Sequence, residues 1–125
     1  MSSIDRLLAG ARARIDRLEP VAALEEMRDG AVLVDVRSET QIAADGLVPG
    51  AIVVARNVLE WRCAPDGEHR DARLCDPGRR LIVMCDGGYQ SSLAAANLRD
   101  LGLRRAADLA GGFQAWRAEG LPVTR

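Results

Sequence analysis

Apolar residues fall in two kinds of run along the chain. Val32-Leu33-Val34-Asp35-Val36 and Leu81-Ile82-Val83-Met84 are short and nearly continuous, the pattern of strands buried on both faces of a parallel sheet. Ile52-Val53-Val54 is a shorter run of the same kind, and Arg105 to Leu109 reads as a last, weak strand. Between the runs the spacing becomes helical. Ile4, Leu7, Leu8, Ala11, Ile15 and Leu18 form a stripe with arginines between them, predicting an amphipathic helix over residues 1–15 that covers the domain. That helix stops before Leu18 and leaves a short edge strand near Arg17.

Turn and cap residues divide the rest. Pro20 suits the first position of a second helix through Met27, with Gly30 just past its end. Residues 40–45 predict one short helical turn. Gly46-Leu47-Val48-Pro49-Gly50-Ala51 is turn chemistry. Asn57 is placed to cap a short helix through Trp61, and residues 63–78, rich in Pro, Gly, Asp and Arg, read as a long surface excursion. Leu93-Ala94-Ala95-Ala96-Asn97-Leu98 belongs to a helix capped by Ser91 or Ser92, running to Leu101 and stopped by Gly102. Gly111-Gly112 opens a last helix from Phe113 to Glu119, in which Phe113 and Trp116 have core spacing. Strands alternating with helices predict an α/β fold with a mostly parallel sheet, one domain over residues 16–125 with the first helix packed on it.

Composition narrows the function classes. The chain has 125 residues, 48% hydrophobic and 28% charged, with a net charge of -1, so nothing pulls it toward nucleic acid or an anionic membrane. The beginning of the chain is charged from Asp5 onward and lacks the apolar block of a signal peptide. No apolar run approaches the ~20 residues of a membrane span. The three cysteines, Cys63, Cys75 and Cys85, are odd in number and have no CxxC spacing, which argues against a disulfide framework or zinc knuckle and suits a reducing compartment. A cytoplasmic protein is expected. His69 stands in a polar stretch without a second ligand, so neither a metal nor a cofactor is expected.

The chemistry concentrates at Cys85. The cysteine ends a strand, a loop with Gly87 and Gly88 follows, and a helix begins. A thiol there faces the positive end of a helix, and loop N–H groups can turn inward to form an anion-binding concavity. Both effects favour the thiolate, which is the nucleophile.

Four blocks in this order resemble the rhodanese family: Val34-Asp35-Val36-Arg37, Gly46 to Ala51, Cys85 to Ser91, and Leu109-Ala110-Gly111-Gly112-Phe113-Gln114-Ala115-Trp116. The resemblance covers roughly residues 16 to 123. It implies a three-layer α/β fold with a central, mostly parallel five-stranded sheet flanked by helices. It also implies sulfur transfer: Cys85 as nucleophile, with Asp86, Gly87, Gly88, Tyr89, Gln90 and Ser91 forming the loop that cradles the transferred sulfur. The partners implied are a small donor, thiosulfate or a persulfide, and a thiol or protein acceptor. Asp35, Arg37, Arg56 and Arg62 are candidates for the pocket rim, although Asp35 and Arg37 read first as a structural ion pair. Cys63 and Cys75 read first as unreactive thiols, with resolution of a Cys85 persulfide by either as the alternative.

The sequence departs from the family pattern at the loop. Asp86 and Gln90 stand where many members carry cations, Leu47 replaces the turn histidine, and Gln41 replaces an acidic residue. Weak capture of thiosulfate is expected. Two other functions compete: a non-catalytic rhodanese-like binding module, and a cysteine phosphatase or arsenate reductase. The second needs an arginine six positions after the cysteine, where Ser91 stands.

Overall fold

Alternation along the two central strands decides how the layers assemble. In the computed structural model, which describes all 125 residues, β2 (Val32–Asp35) and β4 (Leu81–Met84) are buried at every position. Val32, Val34, Leu81, Val83 and the adjoining Cys85 share one hydrophobic cluster, while Leu33, Ile82 and Met84 belong to another. Successive strand residues point to opposite faces, so each face needs its own cover.

One face is covered by α1 (Ser3–Arg12), α4 (Leu59–Cys63) and α5 (Gln90–Asp100). The other carries α2 (Pro20–Arg28) and α6 (Gly112–Ala118), whose Ala23, Phe113 and Trp116 join Leu33, Ile82 and Met84. The sheet runs β1 (Asp16–Leu18), β5 (Ala107–Leu109), β4, β2, β3 (Ile52–Val53), and every pairing is parallel. The sheet is therefore wholly rather than mostly parallel, with β4 in the middle. The edge strand expected near Arg17 is β1.

Several local readings change. α3 begins at Glu39, one residue early, because Ser38 and Gln41 form a capping box. Asn57 caps nothing: it lies in a 3-10 turn, Arg56–Val58, that leads into α4. The excursion after Cys63 is anchored by Leu74, which is fully buried, and Cys63 itself is interior. β5 starts at Ala107 rather than Arg105. Neither Ser91 nor Ser92 caps α5. Tyr89 occupies the cap position with no side-chain cap bond, and both serines lie inside the first turn, buried. No helix is long and apolar enough to cross a membrane.

Candidate active site

Cys85 follows the last residue of the middle strand, at the C-terminal edge of a parallel sheet, where such sheets place their ligand crevices. Its residue surface is 2% exposed. The Gly88 N–H donates to Cys85 Sγ at 3.2 Å. Gly88 has φ +84, and a Cβ on it would lie 2.7 Å from the Gly111 nitrogen. Only glycine fits that conformation and that gap. The N–H groups of Asp86, Gly87, Tyr89, Gln90 and Ser91 have no acceptor within the chain. The last two belong to the first turn of α5, whose N-terminal donors are free by construction and whose dipole is positive at this end. Loop and helix together present unpaired donors beside a thiol, a setting suited to an anionic sulfur species.

Two sets of contacts hold the loop. On one side, the start of α6 reaches it: Phe113 N–H donates to the Cys85 carbonyl at 2.9 Å, and Gln114 N–H to the Asp86 carbonyl at 3.1 Å. Gly112 permits this approach, because a Cβ there would lie 2.6 Å from both carbonyl oxygens. On the other side lies a polar network. Asp108, wholly buried, accepts from the hydroxyls of Ser91 and Ser92 at 2.8 Å each and pairs with Arg17 at 2.9 Å. Arg17 and Arg12 both donate to the Gly88 carbonyl at 2.8 Å. Arg12, Arg17, Asp108 and Gln114 were not singled out from sequence.

The residues singled out from sequence fall in distinct places. The Asp86 carboxylate accepts from Gln114 Nε2 at 2.9 Å, so it is tied to α6. Gln114 in turn meets the Arg117 guanidinium, which pairs with Asp45 at 3.2 Å. Tyr89 is 66% exposed, with the Arg12 guanidinium 5.7 Å from its ring centroid. Gln90 lines a cleft of about 520 Å³ together with Arg37, Gln41 and Arg56. Asp35 and Arg37 form a fully buried ion pair at 2.8 Å. Arg37 also donates to the Gly46 carbonyl and lies 3.8 Å from the Phe113 ring centroid, so it ties the Gly46 turn to α6. Arg56 is held by Glu60 at 2.9 Å. Arg62 donates to the His69 carbonyl and lines a separate hollow with Trp61. Cys63 is wholly buried, and that burial pushes its thiol up to about 12.

The sequence profile of the rhodanese-like domain family matches residues 19–119. A sulfurtransferase from Allochromatium vinosum is 30% identical over 92 residues, 74% of this chain and 77% of that protein. The thiosulfate sulfurtransferase GlpE of Pseudomonas putida is 36% identical, over 82% of this chain and 84% of its own. Among solved structures, a Rhodopseudomonas palustris protein of unknown function, described as a possible tyrosine phosphatase, superposes with a TM-score of 0.89 at 31% identity, covering 99% of this chain and 96% of its own. The homodimeric polysulfide-sulfur transferase of Wolinella succinogenes superposes with a TM-score of 0.79 at 25% identity, covering 98% and 87%.

Proposed function

This chain belongs to the rhodanese-like domain family, and on that premise we propose that it is a sulfurtransferase that carries sulfane sulfur as a persulfide on Cys85. One observation carries the reading: Cys85 Sγ accepts the Gly88 N–H, inside a loop whose neighbouring N–H groups are unpaired. A persulfide anion is large and diffuse, and several modest backbone donors suit it better than one strong cation.

The reaction has two displacements. The Cys85 thiolate attacks the outer sulfur of thiosulfate. The new Sγ–S bond forms as the S–S bond of the donor breaks, and sulfite leaves with its electron pair. With a persulfide donor the leaving group is a thiolate. An acceptor nucleophile, cyanide in the assay or a thiolate in the cell, then attacks the terminal sulfur and releases Cys85. The covalent intermediate splits one transfer into two steps, with ping-pong kinetics. The donors of Asp86 to Ser91 hold the charge that develops on the terminal sulfur. A cytoplasmic setting fits this chemistry, because the thiol must stay reduced between turnovers.

The loop's own side chains add no cation. Asp86 carries a negative charge, although Gln114 holds it, and Gln90 is neutral. Thiosulfate, a dianion, is therefore the weaker of the two donor classes, and a persulfide the better. A phosphatase reading lacks its clamp, since Ser91, six positions after the cysteine, is turned onto buried Asp108. A purely non-catalytic module leaves the cysteine and its ring of free donors without a role.

The test is thiosulfate–cyanide turnover by wild type and Cys85→Ser, repeated with a persulfide donor. Turnover in wild type that Cys85→Ser abolishes is expected. Persistent turnover in Cys85→Ser, or none in wild type with either donor, overturns the reading.

A further inference from the structure

Arg12 belongs to the first helix, remote in sequence from the Cys85 loop, yet its guanidinium ends on that loop. Nη2 donates to the Gly88 carbonyl at 2.8 Å and Nε to the Ser92 hydroxyl at 3.0 Å. Arg17 Nη2 donates to the same carbonyl at 2.8 Å. A carbonyl oxygen has two lone pairs, and here each one meets a cation.

The two arginines differ in charge balance. Arg17 is neutralised by Asp108, at 2.9 Å. The hydrogen-bond partners of Arg12 are a hydroxyl and a carbonyl, neither charged. The other charged groups around the loop are spoken for: Asp86 by Gln114, Arg117 by Asp45, Arg37 by Asp35 and Arg56 by Glu60. Arg12 is thus the cation without a counter-charge on a loop that has none of its own.

Direction matters as much as charge. In a planar trans peptide the carbonyl and the following N–H point opposite ways. Two guanidiniums pulling the Gly88 carbonyl toward α1 and β1 turn the Tyr89 N–H to the other side of the loop. They also polarise that peptide, which strengthens the N–H as a donor.

We propose that Arg12 is a positioning residue for Cys85: it orients the 88–89 peptide so that the Tyr89 N–H serves the sulfur, and it lends the cradle the positive charge that Asp86 and Gln90 withhold. The inference rests on the reading of Cys85 as the sulfur carrier. It makes the first helix part of the working site rather than a cover alone.

The test compares wild type with Arg12→Met and Arg12→Lys. The primary readout is the pH at which iodoacetamide labelling of Cys85, mapped by peptide mass, reaches half its maximal rate; thermal melts check folding. Arg12→Met is expected to move this midpoint upward, since the 88–89 peptide is no longer held with its N–H toward the sulfur and hydrogen bonds to the charged form favour it. The shift shrinks at high salt. Arg12→Lys restores the charge without the two-pronged fork and is expected to fall between. A folded Arg12→Met with a wild-type labelling profile overturns the proposal. If Arg12→Met does not fold, Ser92→Ala removes the Nε acceptor and is expected to move the midpoint in the same direction by less; an unmoved midpoint there is equally fatal. Labelling reads the thiol without any sulfur transfer. A wild type that loads no sulfur overturns the sulfurtransferase reading and leaves the labelling result standing; one that loads sulfur with an unmoved profile overturns this inference alone.

Discussion

Gly112→Ala is the substitution that probes most sharply how the loop is held. A Cβ at this position would lie 2.6 Å from the carbonyl oxygens of Cys85 and Asp86 and 2.7 Å from the Asp86 carbonyl carbon. All three are backbone atoms and cannot swing aside. Gly112 also has φ +62, which costs a non-glycine residue about 1–2 kcal/mol. To admit the methyl group the loop must retreat from α6, stretching the Phe113→Cys85 and Gln114→Asp86 hydrogen bonds, each worth about 0.5–1.5 kcal/mol net. The sum is about 2–5 kcal/mol, a melting temperature roughly 10 °C below wild type. Gly120→Ala is the control. Gly120 has φ +71 but nothing within 4 Å of its would-be Cβ, so it pays the conformational term of about 1–2 kcal/mol alone. The assays are thermal melts of both variants and the rate of sulfur loading on Cys85. Gly112→Ala should melt well below Gly120→Ala and load at least several-fold more slowly. Equal melts, with equal loading, would refute the claim that α6 backbone contact shapes the loop.

Three further outcomes are expected. Asp35→Ala leaves Arg37 charged, buried and unpaired, and should lower stability by about 3–5 kcal/mol in urea titration; a loss under about 1 kcal/mol would count against a structural role for the pair. Gln90→Arg should raise kcat/KM for thiosulfate several-fold at low salt, within the roughly 1.5–3 kcal/mol of a charge-assisted contact, and the gain should fade as salt rises; a flat response means that the backbone cradle alone captures the anion. Cys63 is raised by burial from 9.0 to about 12, so the folded form keeps it protonated where the unfolded chain ionises. Its contribution to stability is present below pH 9 and is lost between there and about 12, and it should resist iodoacetamide in the folded protein near pH 8; ready labelling at that pH would contradict its burial.

The fold was legible because the central strands announce themselves. Val32 to Val34 and Leu81 to Met84 are apolar without a gap, which requires helices on both faces, and both are present. Pro20 and Gly30 marked α2 well. The serine cap failed because a hydroxyl can serve an acceptor as well as an N–H donor. Buried Asp108 accepts a hydrogen bond from both serine hydroxyls, and Tyr89 occupies the cap position. Asp108 itself was the missed signal. A carboxylate between Ala107 and Leu109 in a strand demands buried partners, and those partners are Arg17 and the serines. Arg12 was missed because an arginine on an amphipathic helix reads as solvated. It lies four residues after Leu8, one turn further along α1, and that placement turns it toward the domain. Arg56 and Arg62 could not be separated by sequence: only the fold shows Arg56 beside Gln90 and Arg62 facing the His69 carbonyl.

The central claim is that Cys85 holds the sulfur in transit. Purified protein is treated with thiosulfate or a low-molecular-weight persulfide, desalted, and weighed intact and as peptides. A species heavier by one sulfur atom is expected, located on the peptide containing Cys85, removed by cyanide or dithiothreitol and missing from Cys85→Ser. Loading on Cys63 or Cys75 instead, or undiminished loading in Cys85→Ser, would contradict it.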